Sequence, residues 1–123
     1  MSKTKIMNFI EDTFSDLPGR MSGNEANDLV VKKLRQIAIN ERAELIGALR
    51  TYLSFRITPT ERRPDHAVQE GRLWFALDAA KQLQLSELKP DIESLLVAVR
   101  SGKVLLPIHE SAVARYTQHF SKN

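Results

Sequence analysis

The chain has 123 residues with no cysteine, and 18 Lys and Arg against 15 Asp and Glu leave a formal net charge of +3 at pH 7. That length fits a single domain, residues 1–123, able to bury about two-thirds of its unfolded surface unaided, and the absence of cysteine excludes thiol nucleophiles, thiolate metal sites and disulfide frameworks. No run approaches the roughly 18 apolar residues of a membrane span, and MSKTKIMNFIEDTF carries acids where a signal peptide has its apolar core, so a soluble, cytoplasmic protein is expected.

In chain order, Ile6, Phe9, Ile10, Thr13, Phe14 and Leu17 are spaced as one face of an amphipathic helix, which Pro18 and Gly19 end. Ser22 and Glu25 form a capping box, S-x-x-E, that opens a second helix burying Ala26, Leu29, Val30, Leu34 and Ile37 and exposing Lys32, Lys33 and Arg35. Asn40 is predicted to cap a third helix, Glu41 to Phe55, whose stripe is Leu45, Ile46, Leu49, Tyr52 and Leu53. ITPTERRPDHAVQEG then lacks a clear apolar period. Its first half reads as an exposed loop, with helix possible from Pro64 or Asp65 and Val68 as its one anchor.

The stretch from Arg72 to Arg100 reads as the central helical hairpin. Leu73, Ala76, Leu77, Ala80 and Leu83 make one buried stripe, with Trp74 and Phe75 extending apolar surface onto its flanks, so this helix should have neighbours on more than one side. Its partner starts near Pro90, buries Ile92, Leu95, Leu96 and Val99, and stops at Gly102. A last helix carries Ile108, Ala112, Val113, Tyr116 and Phe120, with Pro107 at or before its start. Every strong period is that of a helix and none that of a strand, which predicts an all-α chain of about six helices without a sheet.

An internal repeat is visible. The octets LRQIAINE, from Leu34, and AKQLQLSE, from Ala80, match in polarity at all but one position. After a register slip at the Leu88-Lys89-Pro90 turn, LIGALRT from Leu45 matches LLVAVRS from Leu95. Helix pairs repeating at roughly 40 to 47 residues are the mark of α-solenoids. Arg72, Ala76, Ala80 and Leu83, followed by Pro90, Ile92, Leu95 and Leu96, resemble HEAT-type repeats, whose inner helix carries Arg, Ala and Leu at these steps and whose next helix starts at a proline. The resemblance spans Asn24 to Arg100; Gly71 and Trp74 depart from it, and Ile57 to Glu70 is an insertion in it. It implies antiparallel helix pairs in a short right-handed stack. Small HEAT-like chains are similar to immunity proteins encoded beside bacterial toxins, which implies a protein-binding module that covers a toxin's active site.

Residues that could carry chemistry are few. His66 and Glu70 stand four apart on a prospective helix face, but a zinc site of the HEXXH type needs a second histidine and a third ligand, so no metal or cofactor is expected. Asp65 beside His66 diverges from it on a helix and serves better as a cap, while His109 and His119 read as solvated. Ser101-Gly102-Lys103 lacks the upstream glycine and strand of a phosphate loop. With no glycine-rich loop, carboxylate pair or nucleophile beside a base, the chain is not expected to be an enzyme.

Binding is read instead onto the insertion, where Arg56, Arg62, Arg63, Asp65, His66, Glu70 and Arg72 form the candidate partner surface, suited to an acidic protein. The acidic side of the first helix, Glu11, Asp12 and Asp16, is the second choice. Arginines beside Trp74 also suit nucleic acid, as phosphate contacts and a stacking platform, although Glu61, Asp65 and Glu70 are interleaved with them. A helix-turn-helix over Ile37 to Leu53 fails for want of a separate base-reading face.

Overall fold

Local side-chain chemistry sets where the first two helices start. Ser2 Oγ accepts from the Lys5 amide at 3.3 Å and Ser22 Oγ from the Glu25 amide at 3.2 Å, each satisfying a donor the first turn leaves free. In the computed structural model, which describes residues 2–56, 66–101 and 110–121, the helices are α1 (Lys3–Ser15), α2 (Gly23–Asn40), α3 (Arg42–Leu53), α4 (His66–Gln82), α5 (Lys89–Arg100) and α6 (Glu110–Ser121). A 3-10 turn, Ser86–Leu88, precedes α5, whose first turn holds Pro90. No strand occurs among the described residues, so the chain is all-α as its periodicity predicts. None of these helices is long and apolar enough to cross a membrane.

The two junctions within the repeated segments differ. Between α2 and α3 the chain turns at Glu41 alone, whose amide still bonds to Ile37 O at 2.8 Å. Asn40 is therefore the last residue of α2 and not the cap of α3, and Glu41 at the cap position makes no side-chain cap bond. After α4, Gln84 takes φ 53, with its amide on Lys81 O and the Leu85 amide on Ala80 O at 2.9 Å. This is the Schellman closure, made with glutamine where glycine is usual. Residues 83–88 join α4 to α5 where Glu41 alone joins α2 to α3, and of the expected slip Leu88 ends the 3-10 turn while Lys89 and Pro90 open α5.

The core gathers on α4, which packs against α2, α3 and α6, so it has neighbours on several sides as expected. Leu73, Phe75, Ala76, Leu77, Ala79 and Ala80 of α4 are wholly buried. Phe75, expected on a flank, is central: the rings of Phe14 and Tyr52 meet it edge-on at 5.1 and 6.4 Å. In α2 the stripe is rotated from expectation, since Val31 is buried while Leu29 is 38% exposed. Three consecutive apolar residues, Leu29-Val30-Val31, fix the period but not its phase. The first turn of α4 also departs from expectation: the helix runs from His66 through Gly71, and Val68 is 53% exposed and anchors nothing.

Side-chain forks tie α3 to the turn and to α5. Arg42 Nε and Nη2 donate to Glu87 at 2.7 and 2.8 Å, and Arg50 Nε donates to both Asp91 oxygens at 3.0 and 3.1 Å. The Arg42 bonds pull the Glu87 carboxyl down to about 2. Both pairs are solvent-exposed, so they orient the helices more than they stabilise them. We expect Leu77→Ala, which empties a fully buried site on α4, to cost about 2 to 5 kcal/mol in chemical denaturation; a loss below about 1 kcal/mol would move the core away from α4.

Candidate functional site

Arg72, placed by sequence on the partner surface, faces inward. Its Nε and Nη2 fork onto Glu11 of α1 at 2.6 and 2.8 Å, and its guanidinium carbon lies 4.0 Å from the centre of the Phe14 ring. Tyr52 of α3 donates its hydroxyl to the same carboxylate at 2.7 Å, so three helices meet at one charge. Burial would raise the Glu11 carboxyl, but the bonds from Arg72 and Tyr52 and the Arg72 charge outweigh it and hold it below the usual range. Burial and the Glu11 carboxylate push the Tyr52 hydroxyl up.

The other predicted partner residues separate. Arg56 Nη1 donates to the Leu53 and Phe55 carbonyls, closing the end of α3, and burial lowers its guanidinium pKa. Glu70, in the first turns of α4, has a buried Oε1 without a hydrogen-bond partner among the described residues, and burial raises its carboxyl pKa. His66 opens α4, and its side chain lies outside what is described; Arg62, Arg63 and Asp65 lie outside the described residues. Arg56, Glu70 and Arg72 therefore answer to the chain's own groups or burial, and the structure does not gather them around one exposed surface point. In the second-choice surface, Glu11 is held by Arg72 and Tyr52 while Asp12 and Asp16 are exposed.

Two features that sequence reading did not single out are better formed. The first is the outer face of α2. Lys32, Lys33 and Arg35 are exposed there and make no ion pair among the described residues, and Leu29 and Ile39, 38% and 82% exposed, lie beside them. Shallow grooves flank this face, one of about 480 Å³ lined by Phe9, Leu29 and Lys32, the other lined by Arg35, Ile39 and Arg42. The outward Ile39, on a helix whose other stripe was already assigned to the core, was its sequence signal.

The second is a cleft of about 600 Å³ where α1, α2, α4 and α6 converge, walled by Phe14, Trp74 and Tyr116 with Asp78 among its lining. Asn27 Nδ2, 8% exposed, donates to Asp78 Oδ2 at 3.1 Å, and the Tyr116 hydroxyl donates to Asp78 Oδ1. Burial and the Asp78 carboxylate push the Tyr116 hydroxyl up. The volume is that of a small-ligand pocket, and its mix of aromatic walls with few placed polar groups is typical of one. Asp78 is the one acid in LWFALDAA, the most apolar stretch of the chain, and that isolation was the available signal. Among the described residues no group of three or more His, Asp or Glu side chains is placed to hold a metal ion.

Comparison with protein-family models, with curated proteins and with solved structures gives no match.

The two carboxyls of α1 and α4 have opposite pH signatures. Glu11, with its folded pKa lowered, contributes stability that is complete above the unfolded value of about 4.3 and is lost as pH falls through the folded pKa. Glu70, with its folded pKa raised, imposes a penalty that is absent below about 4.3 and grows as pH rises through the folded value. Glu70→Gln, which keeps the shape and removes the charge, should raise the thermal midpoint at pH 7, with the gain shrinking towards about pH 4. A lower midpoint at both pH values would contradict the burial of an unpaired carboxylate.

Proposed function

We propose that this chain is a cytoplasmic protein-binding module that holds a preformed helical surface against one partner. Its most concrete form is a bacterial immunity protein that neutralises a toxin by covering its active site and does no chemistry itself. The outer face of α2 carries this reading. Three exposed cations with no ion-pair partner among the described residues flank exposed Leu29 and Ile39. Apolar contact supplies affinity and unpaired charge supplies steering, a combination that suits an acidic protein surface. The Arg56–Arg72 segment is the secondary surface of the proposal, because Arg56 and Arg72 already use their donors within the chain while Arg62 and Arg63 lie outside the described residues.

A HEAT-like stack belongs to the same proposal. In support, α1 packs on α3, α2 on α4, α3 on α5 and α4 on α6, so helices meet those two places along the chain. Such an array keeps its outer helices rigid without any of them being central to folding.

The second reading is a nucleic-acid-binding or regulatory protein, favoured by Lys32, Lys33 and Arg35 standing together without an acid in the second half of α2. Phosphate contacts would give it a binding constant that falls with salt by roughly 0.9 log units per log unit for each contact.

Co-expression with the product of the adjacent open reading frame tests the first reading: a one-to-one complex and relief of that product's toxicity are expected. In that complex the double variant Lys32→Glu, Lys33→Glu should weaken binding at least tenfold, about 1.4 kcal/mol, with the thermal midpoint nearly unchanged. Absence of both complex and relief would contradict the immunity role, and salt-dependent binding of any duplex would favour the second reading.

A further inference from the structure

We propose that the cleft between α1, α2, α4 and α6 binds a compact organic cation, an alkylammonium or guanidinium group, with Asp78 as its counter-charge and the Trp74 and Tyr116 rings as its walls.

The chain itself shows the required chemistry a short way along the same cleft. There a guanidinium, that of Arg72, lies 4.0 Å from the centre of the Phe14 ring while it forks onto the Glu11 carboxylate. A cation held between a π face and a carboxylate is favoured by both, and partial desolvation strengthens each attraction. Trp74, Tyr116 and Asp78 repeat the aromatic and anionic parts of that arrangement. Their ring centroids are 6.5 Å apart at an interplanar angle of 56°, a tilted pair that presents two π surfaces.

What differs is the partner of the carboxylate. Among the described residues Asp78 accepts only from the neutral donors Asn27 and Tyr116, and no Lys, Arg or His side chain forms an ion pair with it. Each carboxylate oxygen keeps acceptor capacity beyond its one donor. The two donors fix the carboxylate without neutralising it, which is how a recognition group is preorganised. Lys81 Nζ stands 6.0 Å from the centre of the Tyr116 ring, on the side of a neighbouring cavity that it lines with Arg115, and both cations are exposed to screening water. The Arg72 charge is already matched by Glu11. Of the charged groups lining the cleft, Asp78 is the one with no charged partner among the described residues.

Gly71, exposed near the start of α4, is one of the residues that line the cleft.

Trp74 is the one tryptophan of the chain, so intrinsic fluorescence reports on the cleft directly. The full chain is titrated with choline and with N-acetylargininamide, and in parallel with their neutral isosteres dimethylbutanol and N-acetylcitrullinamide. The proposal expects a saturable response to at least one cation, with its isostere at least about tenfold weaker and the preference lost in Asp78→Asn. Equal responses to cation and isostere, or none that saturates below about 10 mM, would overturn it. Should Asp78→Asn fail to fold, Tyr116→Leu serves in its place: it removes one aromatic wall and keeps the Trp74 reporter, and retention of parental cation binding in that folded variant would overturn the proposal. A terminally blocked peptide whose one charge is an arginine distinguishes the source of the cation. Binding at least about tenfold tighter than N-acetylargininamide supports a cation offered by a partner's side chain, and equal binding supports a free small molecule.

Discussion

The edge-on contacts of Phe14 and Tyr52 with Phe75 hold the first half of the molecule to α4. Phe75 is wholly buried, and one ring from each of α1, α3 and α4 shares this space. The Glu11–Arg72–Tyr52 node joins the same three helices through a charge. Aromatic contact sets the distance between the helices, and the forked bonds set their rotation. Against the half-buried Phe14 ring the Arg72 side chain is 16% exposed, while the Glu11 side chain is 43% exposed, so the pair orients the helices more than it stabilises them.

From that arrangement the rest follows outward. With α4 held by α3, its opposite sides receive α2 and α6, and the gap among α1, α2, α4 and α6 becomes the aromatic cleft. The outer face of α2, with nothing packed over Lys32, Lys33 and Ile39, is left to solvent. The cleft and the basic face are thus two consequences of one packing decision, on different sides of the same helix. They differ in chemistry, one an anionic recess and the other a cationic ridge, which keeps their proposed ligands separate.

Much of this was legible in the sequence wherever a period alone decides the outcome. The all-α class, the stripe of α3 and the opening of α2 at Ser22 follow from spacing and cap chemistry within a few residues. Phase was harder. Leu29, Val30 and Val31 are adjacent and similar, so only the direction of α4 decides which one turns out. Long-range pairing was not legible at all: Arg72 finds Glu11 61 residues away along the chain, and an arginine near the start of a helix looks the same whether its fork ends inside or outside. Asp78 was missed for the converse reason, since an acid within an apolar helix looks like solvent exposure until a buried Asn27 is found against it.

The central claim is that α4 holds a surface that is formed before any partner arrives. Native-state amide hydrogen exchange of the free chain tests it most directly. If the account is right, the amides around Phe75 exchange only with global unfolding, and those of α2 from Val30 to Ile37 are protected to nearly the same free energy. Exchange of α2 at close to unprotected rates in the free chain, while α4 stays closed, would show the proposed surface to be made on binding and would contradict the account.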